Sequence, residues 1–184
     1  MAGILKVDKY QDFNGNDIMT SDGSGNITMP SGVISGQNYP AFEAYLSSTQ
    51  SITDSTWTKI QFNTEVLDTD SCYDNVTNFR FTPNVAGKYI LTASAYNSCN
   101  ISDTLLRALV RITKNGTQVT VSSFDPNASS NANLLTPIVS LIQEANGTTD
   151  YFEAESFIEV SSGTPEVRGG SDLRVHFNAY RIGA

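Results

Sequence analysis

The sequence predicts an all-β fold on three observations: segment after segment alternates apolar and polar residues with a period of two, turn dipeptides separate those segments, and helical periodicity is almost absent. In the first clear segment Ile60, Phe62, Thr64 and Val66 share one face, with Lys59, Gln61, Asn63 and Glu65 on the other. Leu106, Ala108, Val110 and Ile112 alternate in the same way with Arg107, Arg111 and Thr113. Phe152, Ala154, Ser156, Ile158 and Val160 alternate with Glu153, Glu155 and Glu159. The last segment sets Leu173, Val175, Phe177 and Ala179 against Arg174, His176, Asn178 and Tyr180. Between them lie Pro83 to Gly87, Lys114-Asn115-Gly116, Asn146-Gly147 and Gly169-Gly170, where Gly and Asn accept positive φ. Leu134 to Ala145 alone leans towards helical spacing. Many brief alternating strands with polar turns predict a two-sheet sandwich or a closed barrel.

Composition narrows the function. The 184 residues carry 19 acidic and 11 basic side chains, a net charge of −8, and only 16% are charged. Phosphate binding needs clustered Lys and Arg, so a nucleic-acid partner is excluded as an expectation. No apolar run approaches the roughly 20 residues a spanning helix requires, so no membrane insertion is expected. Residues 1–20 lack the basic and apolar regions of a cleaved export signal.

Residues 1–37 read differently from the remainder. Asn14-Gly15, Asp22-Gly23 and Ser31-Gly32 punctuate very short β-like runs, each with two or three apolar side chains. One copy cannot bury enough surface to fold alone, whereas several copies side by side can. The segment is therefore expected to be an anchor or stalk ordered by oligomerisation, with a flexible tail as the alternative. Residues 38–184 form the expected globular domain.

A turn centred near Val85 would pair Asn78–Phe81 with Lys88–Tyr96 as an antiparallel hairpin and set Phe81 beside Tyr89. Extending that register brings Cys72 close to Cys99. A disulfide between them is then within reach, and two separate thiols are the alternative.

Several motifs resemble the globular heads of complement component 1q and the related tumour necrosis factor-like domains. Pro40-Ala41-Phe42-Glu43-Ala44-Tyr45-Leu46 resembles their first strand. Phe62, Asp68 and Tyr73 match the signature's Phe, Asn/Asp and aromatic spacing, and Phe81, Gly87, Tyr89 and Leu91 match its Phe, then Gly-x-Tyr-x-Phe. Departures are one extra residue before Phe81, Leu91 in place of Phe, and Ala93 where an aromatic is usual. Val110 to Gly116 is similar to the family's Asn-Gly hairpin, and Val175 to Tyr180 to its last strand, with Ala179 where Gly is common. The resemblance implies a jelly roll of about ten strands assembled as a homotrimer, in which Phe42, Phe62, Phe81, Tyr89, Leu91 and Phe177 fill the space between sheets and Gly87 shapes a turn. Ile4 to Gly32 resembles the attachment regions of phage tail-fibre and head-fibre proteins.

No catalytic residues are expected. The single histidine, His176, lies on the face opposite Val175 and Phe177, and no Gly-x-Ser-x-Gly supports a triad. Two cysteines and one histidine at wide spacing make no zinc site. Asp68, Asp70 and Asp74 have the beginning of a calcium-loop pattern without the Gly and distal Glu of an EF-hand, so a solvated acidic loop is favoured over calcium. The resemblance keeps calcium near a trimer axis in view, since some family members hold it there. Glu153, Glu155 and Glu159 on one strand face need compensation, for which Arg107, Arg111 and Arg174 are candidates.

The functional expectation is a phage virion structural protein: a trimeric fibre on the virion surface, bound to other virion proteins through residues 1–37, its knob exposed for a host-surface glycan or protein. Tail attachment is favoured. A capsid head fibre or decoration protein and a secreted complement-1q-like binding protein are the alternatives. The polar connections Ser123 to Leu134 and Ser161 to Asp172 are the expected contact surface.

Overall fold

The computed structural model describes residues 7–29, 40–126, 132–171 and 174–183. The chain divides into two compact units, Met1–Asn38 and Tyr39–Ala184. The described residues are all β-structure, with no helix.

The first unit is a small antiparallel sheet, β1 (Lys9–Gln11), β2 (Asp17–Ser21) and β3 (Ile27–Thr28), ordered β1-β2-β3. Two near-identical turns join the strands. In the first, the Asp12 carboxylate accepts the backbone amides of Asn14 and Asn16, both at 2.9 Å, and the Asn16 side-chain amide at 2.8 Å. In the second, ten residues on, Asp22 accepts the amides of Ser24 at 2.7 Å and Asn26 at 3.1 Å, and the Asn26 side chain at 2.6 Å. Gly15 and Gly25 take the positive φ each turn requires. The Asn16 and Asn26 side-chain donors hold the Asp12 and Asp22 carboxyls below their ordinary range. This is an internal repeat, Asp-x-x-Gly-Asn.

The second unit runs β4 (Ala41–Tyr45), β5 (Gln50–Ser51), β6 (Thr58–Lys59), β7 (Thr64–Asp68), β8 (Tyr73–Asp74), β9 (Arg80–Phe81), β10 (Gly87–Ser94), β11 (Asn97–Cys99) and β12 (Leu105–Lys114). It continues with β13 (Thr117–Phe124), β14 (Leu134–Leu135), β15 (Ile138–Ala145), β16 (Phe152–Val160), β17 (Pro165–Val167) and β18 (His176–Gly183). One sheet is ordered β15-β10-β18-β4-β7. The opposing one is β13-β12-β16-β9-β8, with β6 also pairing β16. A smaller sheet, β14-β11-β17-β5, contributes Ile52, Leu135 and Val167 from its strands and flanks to the same core.

Between the two large sheets lies an aromatic cluster. Phe42 stacks on Tyr73 and on Phe81, with centroids 4.6 Å apart in each case, and meets Phe177 edge-on at 5.0 Å. Phe62 reaches Phe177 at 5.9 Å, and Phe81 contacts both Tyr89 and Phe152. Phe42, Phe62, Phe81, Tyr89, Leu91 and Phe177 are all essentially solvent-free. Each ring of this kind contributes about 1.5–3 kcal/mol by leaving water. The buried phenols keep their polar ends satisfied: Tyr89 donates to the Val85 carbonyl at 2.6 Å and Tyr73 to the Phe62 carbonyl at 3.1 Å.

The strand register departs from the sequence expectation in four places. Residues 59–66 are not one strand: β6 belongs to the six-stranded sheet and β7 to the five-stranded one, and Ile60 and Phe62 fill the core from the crossing between them. Val66 is half exposed because the β4–β7 pairing passes from Leu67 to Glu65 and skips it, a bulge that reverses the alternation. In β12 a similar irregularity puts Leu105 rather than Leu106 in the core. Leu134 to Ala145 is strand, β14 and β15, because a spacing of four between Ile138 and Ile142 satisfies a period of two as well as a helical turn.

The fourth departure concerns the hairpin. Phe81 and Tyr89 do meet, with centroids 5.5 Å apart, but from opposite sheets: β9 pairs β8 and β16, while β10 pairs β15 and β18. The turn at 82–86 crosses the sandwich. The register that would have joined Cys72 to Cys99 does not exist, and both thiols are free and buried. Cys72 Sγ faces the Asp70 carbonyl and Cys99 Sγ the Ser162 carbonyl. Burial pushes the Cys72 thiol up.

Gly87 opens β10 at φ 150°, where a Cβ would lie 2.3 Å from the Gly183 carbonyl oxygen and 2.6 Å from Arg181 Nε. That guanidinium is itself bonded to the Ala86 carbonyl. Gly87→Ala is therefore expected to lower stability by about 2–4 kcal/mol through overlap and backbone strain. Urea denaturation measures it, and a loss under about 1 kcal/mol would mean that β18 moves aside freely.

Burial raises the Tyr89 phenol from an ordinary 10.0 to about 12, and raises Tyr73 further. Because the folded state favours the neutral phenol, this stabilisation is complete below about pH 10 and is lost as pH rises through about 12. Melting temperature should fall steeply across that window, and less so in Tyr89→Phe. Identical profiles for the two proteins would exclude Tyr89 as a cause.

Candidate interface on the five-stranded sheet

The two large sheets differ in what their outer faces present. On the six-stranded sheet the carboxylates of β16 are compensated within the chain. Arg111 Nε bonds Glu155 at 2.8 Å while its guanidinium lies 4.1 Å from the Trp57 ring centre, and Trp57 in turn leans on Phe157. Glu153 is held by Lys59 at 2.6 Å and approached by Arg80 at 3.2 Å, with Arg80 over the Tyr151 ring. Of the three arginines expected to do this, Arg111 pairs with Glu155 of β16. Arg107 turns to Asp125 at 2.8 Å, and Arg174 lies over Tyr96. Lys59 and Arg80 were missed because β6 and β9 reach β16 only through the sheet order.

The outer face of the five-stranded sheet carries an apolar row where an antiparallel sheet would ordinarily turn polar residues to water, flanked by the cross-strand pair Lys88 and Glu144. Tyr89, Leu91 and Ala93 point inward from β10, so Ile90 points out. Ile90 is paired on one side with Ile142 and on the other with Tyr180. These three form a row across β15, β10 and β18, at 56% exposure for Ile142, 40% for Ile90 and 52% for Tyr180. Ile138 of β15 and Ile182 of β18 are exposed as well. Beside the row, Thr92 and Ser140 share a hydrogen bond at 3.0 Å, and Asn178 is paired with Glu43 of β4. Such a face, rigid, apolar at its centre and polar beside it, has the composition of a protein–protein contact.

The sequence reading did not name Ile90 or Ile142, and it placed Ile142 in the one stretch that leans towards helical spacing, which is strand β15. What the sequence could not supply was their adjacency, since β10 and β15 are separated by four strands in the chain.

His176 sits at the start of β18, where Ser94 ties the strands. The Ser94 hydroxyl donates to the Arg174 carbonyl at 2.8 Å, accepts the His176 amide at 3.2 Å and lies 3.1 Å from His176 Nδ1. Ser94 is buried, and its proton is committed to that carbonyl. The pair stitches β10 to β18.

Two of the acidic residues weighed for calcium, Asp68 and Asp74, act as turn clasps. Asp68 accepts the amides of Cys72 at 3.0 Å and Tyr73 at 2.8 Å. Asp74 accepts those of Val76, Thr77 and Asn78 and the Asn78 side chain. The Thr77 amide above all draws the Asp74 carboxyl down to about 2. The Asp70 carbonyl takes the Asn84 side-chain amide at 3.3 Å. Among the described residues no three His, Cys, Asp or Glu side chains are grouped to hold a metal. Of the two connections expected as contact loops, 127–131 and 172–173 lie outside the described residues, and Ser161 to Asp172 contains strand β17.

No protein-family model and no curated protein matches the chain. Among solved structures, murine APRIL in a crystal form at pH 5.0 superposes with a TM-score of 0.53 at 8% identity, over 79% of this chain and 100% of that one. Eiger TNF from S. frugiperda gives a TM-score of 0.49 at 7% identity, over 79% of this chain and 93% of its own. At these identities the likeness concerns the fold. The second unit is a TNF-like jelly roll.

Proposed function

We propose that this chain is a homotrimeric, non-enzymatic protein of a phage virion surface, a short fibre whose knob, residues 38–184, presents its loops to a host-cell glycan or protein. The observation that supports the trimer is the Ile142–Ile90–Tyr180 row, an apolar strip on a regular sheet that stays exposed at 56%, 40% and 52%. Three copies packed by this face would remove the row from water three times over, and a closed cyclic assembly leaves no copy unsatisfied. Attachment through residues 1–37, to the tail in preference to the head, is supported by the clasped hairpin repeat and its resemblance to fibre attachment regions. The repeat gives a regular, polar-turned segment whose apolar side chains stay open to partners.

Light scattering of the purified chain should return the mass of three copies. Ile90→Asp with Ile142→Asp sets charges into the contact and should weaken it by about 3 kcal/mol or more, roughly a hundredfold or greater. The double variant is expected as a monomer with an unchanged far-ultraviolet spectrum. A wild-type monomer, or a variant that remains trimeric, would remove the row from the interface.

Purified knob should compete with virions for adsorption to a permissive host, and immunogold label raised against it should decorate tails. Label confined to heads would transfer the protein to the capsid, and absence of label from particles would end the virion reading.

A further inference from the structure

The first unit contains two features of complementary shape. Phe13 stands at the tip of the β1–β2 turn and is completely exposed, at 105%. The turn has no use for an aromatic ring, because its clasp is made by Asp12, Gly15 and Asn16. In the sister turn, built on the same clasp, the corresponding position is Gly23. A phenyl ring left in water forgoes the stabilisation that burial of its apolar surface would return.

On the same unit β1, β2 and β3 frame a half-open, mainly apolar cavity of about 230 Å³, with Val7, Tyr10, Met19 and Ile27 on its wall beside Asp8, Lys9, Thr20 and Ser21. It is smaller than the roughly 300–1,000 Å³ typical of small-molecule sites. It exceeds the roughly 150 Å³ apolar cavity known to accept benzene. One aromatic side chain fits this range. Val7, Tyr10 and Ile27 remain about half exposed around it, so the site is open to an incoming group.

We propose that Phe13 of one protomer seats in the Val7–Tyr10–Met19–Ile27 cavity of the next, so that three copies close a ring of identical contacts at the base of the fibre. Phe13 does not fill the cavity of its own chain, where the ring is bare. Knob and hole on one segment make a heterologous contact, and such contacts close into rings when the rotation between copies allows. The inference rests on the trimeric reading above and adds the contact that would order residues 7–29.

The test uses the full chain in three forms: Phe13→Cys, Ile27→Cys, and both together, each oxidised mildly and run on a non-reducing gel. Phe13 occupies a turn position where the repeat elsewhere has glycine, and Ile27 is exposed, so both sites tolerate the change. Cys72 and Cys99 are buried, and the unsubstituted chain is the control for them. The double variant should form a covalent trimer while neither single variant links. Trimers in light scattering without a covalent product from the double variant would overturn this contact and leave the knob trimer standing. Linking by Phe13→Cys alone would place the Phe13 rings against one another and also overturn it. A monomeric unsubstituted chain would remove the trimeric reading and this contact together.

Discussion

Phe42 touches rings from both large sheets, and the remaining architecture depends on that contact. Its stacking on Tyr73 and Phe81 joins β4 to β8 and β9, while its edge-on meeting with Phe177 locks β4 to β18 within its own sheet. Aromatic packing of this kind is directional as well as apolar, so it sets the spacing and register of the sheets along with their adhesion. The crossings at 60–63 and 82–86 can leave one sheet for the other because Phe62 and Phe81 give them fixed points in the core. Gly87 then begins β10 where any side chain would strike β18, so the second crossing ends at one place.

With the core closed, the chain treats its two outer faces differently. The six-stranded face resolves its own electrostatics: Glu153 and Glu155 meet Lys59, Arg80 and Arg111, and the cations rest on Tyr151 and Trp57. Half-buried pairs supported by rings need no external partner. The five-stranded face places Ile90, Ile142 and Tyr180 outward in one apolar row, bordered by Thr92 and Ser140 on one side and by the paired Lys88 and Glu144 on the other.

The loops follow one economical rule. Asp12, Asp22 and Asp74 each fold a five-residue turn around a carboxylate and an Asn four positions later, and Asn146 with Asp150 performs the same task with the roles exchanged. Backbone amides that would otherwise face water unpaired are collected by one side chain, which explains a composition rich in Asn and poor in Lys.

The sequence by itself determined the all-β class, the inward side of Phe62 and Phe177 and the Asn-Gly turns, because alternation and turn preference are local properties of neighbouring residues, while Phe42, Phe81, Tyr89 and Leu91 were placed inward only by the family resemblance. Tertiary structure decided which strands lie side by side. That one level moved Ile60 and Phe62 from a strand into a crossing, set Phe81 and Tyr89 on opposite sheets, separated Cys72 from Cys99, gave Glu153 to Lys59 and Arg80, and aligned Ile142, Ile90 and Tyr180 into a surface. Pairing partners are chosen by closure of the core across long stretches of chain, and a bulge of one residue, as at Val66, reverses a whole face without leaving a mark in the local pattern.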